Sequence, residues 1–216
     1  VREIEDYYAQ AELEGANEYQ IEESQKAVAH LDMIIGDPDR LRAVAEDFIN
    51  HYETRVAEGA TIAGKAMFVC SNRNIAYGLY KIIVELRPEW AEKKVCDDGV
   101  ELSEKDKKEL KPIEKIKMVM TRNKDDAPEL FEMLGSKDDR KELDRQFKNI
   151  KSNFKIAIVV DMWLTGFDVP CLDTIYIDKP VQQHTLIQTI SRVNRVYEGK
   201  DKGLIVDYIG IKKNMN

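Results

Sequence analysis

Apolar residues in this 216-residue chain follow two rhythms. Five short runs, 65–70, 116–121, 155–160, 173–178 and 203–208, have the length and content of strands. The clearest, Ile156-Ala-Ile-Val-Val160, contains no polar position, as expected of a strand covered on both faces of a parallel sheet. Between the runs the apolar positions change to helical spacing. Ile75, Leu79, Ile82, Ile83 and Leu86 form one stripe that stops before Pro88. Helical patterns cover 72–86, 137–148 and 181–196. Strands alternating with helices predict an α/β domain with a mainly parallel sheet, flanking helices and right-handed crossovers. Residues 1–58 read as an N-terminal helical segment, divided by the turn Gly36-Asp-Pro-Asp39. The expected organisation is a helical connector over 1–58, one domain over 59–211, and the start of a following segment over 212–216.

The loop after the third strand run is Asp161-Met-Trp-Leu-Thr-Gly-Phe-Asp-Val-Pro170. It lies at a strand's carboxyl end, the edge where open α/β sheets bind ligands. Thr165 offers a hydroxyl there, Gly166 close backbone approach and Asp168 a carboxylate. Farther along, Gln188, Arg192 and Arg195 share one predicted helical face, and Leu186, Ile190 and Val193 the opposite one. By itself this is an ordinary amphipathic helix with a solvated basic face. Beside the strand-end loop it becomes a candidate phosphate grip, because its cations are arginines, whose planar forks suit phosphate.

Composition narrows the picture. A hydrophobic share of 43% over this length can bury about two-thirds of the unfolded surface, enough for one substantial domain. The net charge of −7 is concentrated at the start, where residues 1–30 hold eight acids against Arg2 and Lys26. Any nucleic-acid binding must therefore depend on local patches. Cys70, Cys96 and Cys171 show no metal spacing and read as free thiols; His30, His51 and His184 are scattered, so no metal site is expected. No run is long enough to cross a bilayer, which places the expected chain in the cytoplasm, without membrane association. Residues 91–111 are dense in charge and read as a solvated or mobile loop. Asp125 and Asp126, adjacent acids ahead of Pro128, read as turn caps rather than catalytic carboxylates.

Asp161, Thr165-Gly-Phe-Asp168 and Gln188-x-x-Ser191-Arg192-x-Asn194-Arg195 resemble motifs V and VI of superfamily 2 helicases and translocases. The wording Trp163-Leu-Thr-Gly-Phe-Asp-Val-Pro-Cys-Leu-Asp-Thr-Ile-Tyr-Ile-Asp-Lys-Pro180, with Arg192-Val-Asn-Arg-Val-Tyr197 and Gly203-Leu-Ile-Val-Asp-Tyr-Ile-Gly210, is similar to the restriction (R, motor) subunit of type I restriction-modification enzymes. Most of the superfamily carries Arg-Gly and Gly-Arg-x-Gly-Arg at these places. Thr-Gly and Ser-Arg-x-Asn-Arg are the departure that the type I subunits share. The resemblance extends over roughly 40–211, and Gly64-Lys-Ala-Met-Phe-Val-Cys-Ser-Asn-Arg73 resembles motif IV.

This resemblance implies a RecA-like domain, the second of two in an ATP-dependent DNA translocase and restriction endonuclease. Arg192 and Arg195 would be arginine fingers and Gln188 would orient nucleotide or water. Asp168, Gly166 and Thr165 would couple nucleotide to DNA, and Ser71 and Arg73 could reach the nucleic-acid backbone. ATP and Mg²⁺ are the implied cofactors. The implied partners are double-stranded DNA, a first RecA-like domain, and methyltransferase and specificity subunits. The chain lacks a Gly-x-x-x-x-Gly-Lys-Ser/Thr loop, having only Ala63-Gly-Lys-Ala66, and lacks an acidic Mg²⁺ box or nuclease pattern. It is thus expected to be a fragment, inactive alone. Another superfamily 2 DNA-repair or RNA helicase and a non-enzymatic RecA-like interaction module are the alternatives; a phosphate loop in the preceding sequence would discriminate against the latter.

Overall fold

Every residue of the strand Lys65–Cys70 (β1) is buried, because it is the central strand of a five-stranded sheet. The computed structural model describes residues 18–164, 167–180, 183–200 and 202–209. Helices Glu18–Ile35 (α1) and Pro38–Ala57 (α2) precede β1, and Arg73–Leu86 (α3) follows it. A short antiparallel pair, Lys93–Lys94 (β2) and Ile113–Glu114 (β3), brackets the helix Glu104–Glu109 (α4). The chain continues through Ile116–Val119 (β4), Pro128–Leu134 (α5), Lys137–Lys148 (α6), Ile156–Val159 (β5), Leu172–Asp178 (β6), Gln183–Val193 (α7) and Leu204–Asp207 (β7).

The large sheet has the order β4-β5-β1-β6-β7, and each neighbouring pair is parallel. All five expected strand runs form it. The chain starts at the centre, moves to the β4 edge, returns through β5, and then crosses β1 to build the other half. Connections from β1 and β6 consequently leave in opposite directions, which opens a crevice at their carboxyl ends.

Alternation along the strands divides the core between two faces. Ala66, Phe68 and Cys70 join Ile156, Ile158 and Tyr176 under α2 and α3. Met67 and Val69 join Ala157, Val159, Ile175 and Ile177 on the opposite face, with Phe147 of α6 and Val193 of α7. Because both faces are covered, the central strands carry no polar alternation. Phe48 of α2 meets Phe68, Tyr176 and Trp90 edge-on, with centroids 5.2, 4.7 and 6.4 Å away, the arrangement favoured by ring quadrupoles. With six buried residues, α2 belongs to the packing of the sheet.

Local signals explain the helix starts. Asp37 accepts from the Arg40 amide with Pro38 in the first turn of α2, and Asn72 accepts from the Ile75 amide at α3. Ser136 and Asp139 form a reciprocal capping box at α6. The segment 91–111 is largely solvated, as its charge suggested, but it holds a short helix and specific ion pairs. Ser103 and Asp106 box the start of α4, and Lys151 and Lys155 pair with Asp106 and Asp97 at 2.7 and 3.1 Å. Hydrogen bonds from Lys151 and then Ser103 hold the Asp106 carboxyl well below the usual carboxylate range. The charges are thus matched across the fold, which local composition cannot reveal. Residues 122–136 likewise contain a defined helix, α5.

Candidate functional site at the carboxyl edge of the sheet

The strand-end loop and the segment after α7 meet at the carboxyl edge. Arg195 Nε lies 3.4 Å from Asp168 Oδ1, and each side chain is 59% exposed. Such a pair is worth about 0–1 kcal/mol. A phosphate could therefore take the guanidinium from the carboxylate at little cost. Phe167 is buried and stacks on Trp163, with centroids 4.0 Å apart and planes at 6°. Asp161 is exposed and pairs with Lys179, which also donates to the Val160 carbonyl at 3.4 Å. The loops after β5 and β6 are thereby tied together. Thr165 and Gly166 lie outside the described residues.

The helix that carries Gln188 and Arg192 is shorter than its pattern suggested. α7 ends at Val193, where Asn194 N donates to the Ile190 carbonyl at 3.2 Å. Arg195 is therefore beyond the helix, and its face cannot be assigned by helical spacing. Gln188 is exposed, while Thr189 and Val193 are buried beneath it. Arg192 lies in α7, but its side chain is outside the described atoms.

Gly203 packs directly against the end of this helix. A Cβ at Gly203 would lie 2.3 Å from the Val193 carbonyl oxygen and 2.4 Å from Val193 Cβ. Only glycine permits β7 to start so close to the end of α7. Gly203→Ala is expected to cost about 1–3 kcal/mol, the range of core overpacking, measured by urea unfolding of the chain. An unchanged midpoint would show that the helix end shifts freely.

Ser71 and Arg73 have intramolecular partners. Ser71 Oγ donates to the Asp178 carbonyl at 3.0 Å. Arg73 forks onto Asp126 at 2.5–2.6 Å and donates to the Thr121 carbonyl at 2.6 Å. Asp126 also accepts from the Asn123 amide at 2.6 Å, the turn-capping role expected of it. Much of Arg73's donor capacity is therefore already used.

Two features escaped the sequence reading. Asp178 ends β6 with no exposed side-chain surface, and Arg40 grips it through Nη2 at 2.5 Å and Nη1 at 3.0 Å. Arg40 Nη1 also donates to the Ile35 carbonyl at 3.0 Å, joining the end of α1 to the crevice. The hydrogen bond to Asp178 is the main cause of the raised Arg40 pKa. An acid at the end of an apolar strand, Tyr176-Ile-Asp178, was the available signal. The other feature is Lys65, which is only 1% exposed, donates to the Phe154 carbonyl at 2.5 Å and lies over the Phe147 ring. Burial pushes its ammonium pKa well down. It starts β1, at the edge opposite the candidate site, so the Gly64-Lys65 pair does not hold phosphate.

Arg195 and Gln188 are suitable donors for a polyphosphate. Among the described residues no group of three His, Cys, Asp or Glu side chains could hold a metal ion. All three cysteines are free, and no described helix is long and apolar enough to cross a membrane.

Residues 62–210 match the model of a family described as type I restriction enzyme subunit R domain 3. The chain is 38% identical over 197 residues to the type I restriction enzyme HindI endonuclease subunit of Haemophilus influenzae, covering 90% of the chain and 17% of that protein. It is 40% identical over 203 residues to a protein of Methanocaldococcus jannaschii provisionally named the type I restriction enzyme MjaIXP endonuclease subunit, covering 93% and 17%. The chain thus spans about a sixth of these relatives, 17% of each. A fragment provisionally assigned as the HsdR subunit of a type I restriction enzyme from Vibrio vulnificus YJ016 superposes with a TM-score of 0.51 at 14% identity, over 83% of this chain and 30% of that one. That likeness concerns the fold, a RecA-like parallel sheet flanked by helices.

Proposed function

Since this chain belongs to the family of type I restriction enzyme subunit R domain 3, we propose that it is the second motor domain of an ATP-dependent DNA translocase and restriction endonuclease. The acidic connector expected over 1–58 ends, in this reading, as α2 packed into the domain, whose body spans 59–211; residues 212–216 begin the following segment. The domain acts on ATP in a cleft shared with a first RecA-like domain, which would supply the phosphate loop and the groups that hold Mg²⁺. Alone, the chain is inactive. Double-stranded DNA is the track, and methyltransferase and specificity subunits complete the assembly.

The observation that carries this reading is the Asp168–Arg195 pair. It joins the loop after β5 to the segment after α7 at the sheet edge where ligands bind. Arg192 and Arg195 neutralise charge on the transferring phosphoryl group, and Gln188 orients nucleotide or water. When Arg195 turns to phosphate, Asp168 is released, so the adjoining Thr165-Gly166 loop responds to nucleotide and transmits its state to DNA. Domain closure and opening then become steps along the duplex.

The test is ATP hydrolysis by the full-length subunit with and without duplex DNA. Wild type is expected to be stimulated by DNA, and Asp168→Asn to lose roughly tenfold or more of that stimulation, a barrier change of about 1.4 kcal/mol. Its unfolding temperature should be unchanged, because an exposed pair contributes little to stability. No DNA stimulation in wild type would overturn the reading. A lowered unfolding temperature with normal stimulation would make Asp168 a structural residue.

A further inference from the structure

The sheet order places β1 between β5 and β6, yet one ion pair joins the residues that follow those two strands. Lys179 Nζ meets Asp161 Oδ1 and also donates to the Val160 carbonyl at 3.4 Å. Lys179 is close enough to Cys70, the last residue of β1, to act on its thiol electrostatically. The pair therefore passes over the end of the central strand, between strands roughly 9–10 Å apart, two inter-strand spacings. The four-carbon stem of lysine and the aspartate together cover that span. We propose that Lys179 is a positioning residue: it straps the start of the 161–170 loop across the sheet, so that the loop pivots there when Arg195 releases Asp168 at its far end. This role rests on the motor reading above and concerns how that site is coupled.

Lys179 stands on a fixed base. The carboxylate of the preceding Asp178 is gripped by Arg40, and its carbonyl accepts from Ser71 Oγ at 3.0 Å. On the other side, Pro180 disfavours helical backbone at Lys179, which keeps that residue out of the helix that follows. α7 lies between Lys179 and Arg195, and these two cations meet opposite ends of one loop. The two ties differ. Asp168 and Arg195 are each 59% exposed and stand 3.4 Å apart, whereas Lys179 is 21% exposed and has a second acceptor at Val160. A phosphate in solvent competes for the exposed pair more readily, because water already weakens it. The Arg195 end is thus the one that releases, and the Lys179 end the one that holds.

The backbone beside the strap supplies independent support. Trp163 has φ 69°, the left-handed region that a bulky side chain rarely adopts. Its ring is held by Phe167 and by Phe147, whose centroid is 5.2 Å away. Such a conformation persists only where its surroundings enforce it, and it is concentrated at switch regions. Here the turn is pinned on one side by the aromatic stack and on the other by Lys179 acting through Asp161. Without the strap, release of Asp168 would free both ends of the loop, and its displacement would be dissipated instead of transmitted.

The experiment is ATP hydrolysis by the full-length subunit with and without duplex DNA, paired with hydrogen exchange at the Leu164 amide, which donates to the Asp161 carbonyl at 3.3 Å. Lys179→Met is expected to lower the DNA-stimulated kcat about tenfold, a common size for coupling between residues in contact. Basal hydrolysis, the KM for ATP and the unfolding temperature should be unchanged. Lys179→Arg should restore stimulation, since either cation can meet a single carboxylate oxygen. Asp161→Asn should match Lys179→Met, and the double variant should lose about tenfold in all, not the roughly hundredfold of independent sites. Without ATP or DNA, the Leu164 amide of Lys179→Met should exchange about tenfold faster, and that of Phe68 in β1 at the wild-type rate. Normal stimulation, multiplied losses in the double variant, or unaltered exchange at Leu164 would each overturn the strap. So would a lowered unfolding temperature with a parallel loss of basal hydrolysis, which would make Lys179 structural. A wild type that DNA does not stimulate would instead count against the motor reading, and the exchange measurement would still decide the strap.

Discussion

Replacing Arg192 or Arg195 by alanine in the full-length subunit is expected to reduce DNA-stimulated ATP hydrolysis by ~10³–10⁵, equivalent to ~4–7 kcal/mol in the barrier. ATP binding should change little. Phosphoryl transfer depends on cationic donors positioned around charge that spreads in the transition state, and the first motor domain would hold most of the ground-state nucleotide. Lysine should rescue little, since a point charge does not reproduce the planar fork. Arg195 is the sharper test, because its guanidinium is already gathered to the edge by Asp168 at 3.4 Å. Losing that exposed pair alone would cost about 0–1 kcal/mol of stability, so a loss of several kcal/mol in catalysis could not be attributed to the fold. Near-normal hydrolysis by both alanine variants would leave the two arginines as solvated charges.

The opposite balance is expected at Arg40 and Asp178. Asp178→Ala or Arg40→Ala should destabilise the chain by about 3–5 kcal/mol, the cost of leaving one member of a buried pair without its partner. Urea unfolding measures this directly. Asp178 has no exposed side-chain surface and Arg40 remains 25% exposed, so Arg40→Ala, which leaves the buried carboxylate unpaired, should be the more costly change. Replacing both, as in Arg40→Met/Asp178→Leu, should recover much of the loss, because no charge is then left in the interior. A cost below about 1 kcal/mol for Arg40→Ala would show that water reaches the carboxylate and that the pair behaves as a surface one.

Much of this fold follows from local sequence. The apolar runs determine five strands because a strand buried on both faces tolerates little polarity, and Ile156–Val159 has none. The stripe Ile75, Leu79 and Ile83 determines α3 because helical spacing brings those residues onto one buried face. Asn72 and Ser136 mark helix starts by supplying oxygen to amides that the first turn leaves unpaired. The loop Asp161–Pro170 could be placed at a strand's carboxyl end, and the family could be identified from its wording, without knowing which strands pair.

Tertiary structure decided what depends on residues distant along the chain. Strand order brings Arg40 to Asp178, 138 positions away, and Arg73 to Asp126, 53 away; no period within one element encodes either pair. Two lysines have opposite environments for the same reason: Lys65 is buried at the start of β1 over the Phe147 ring, while Lys137 is exposed at the start of α6. Helical spacing continued through Arg195, but α7 ends at Val193, where Gly203 passes too close for any side chain. Periodicity records which side chains must avoid water, a property of each segment. Ion pairs, helix ends and grooves arise where segments meet, and their positions are set by the parallel sheet order β4-β5-β1-β6-β7.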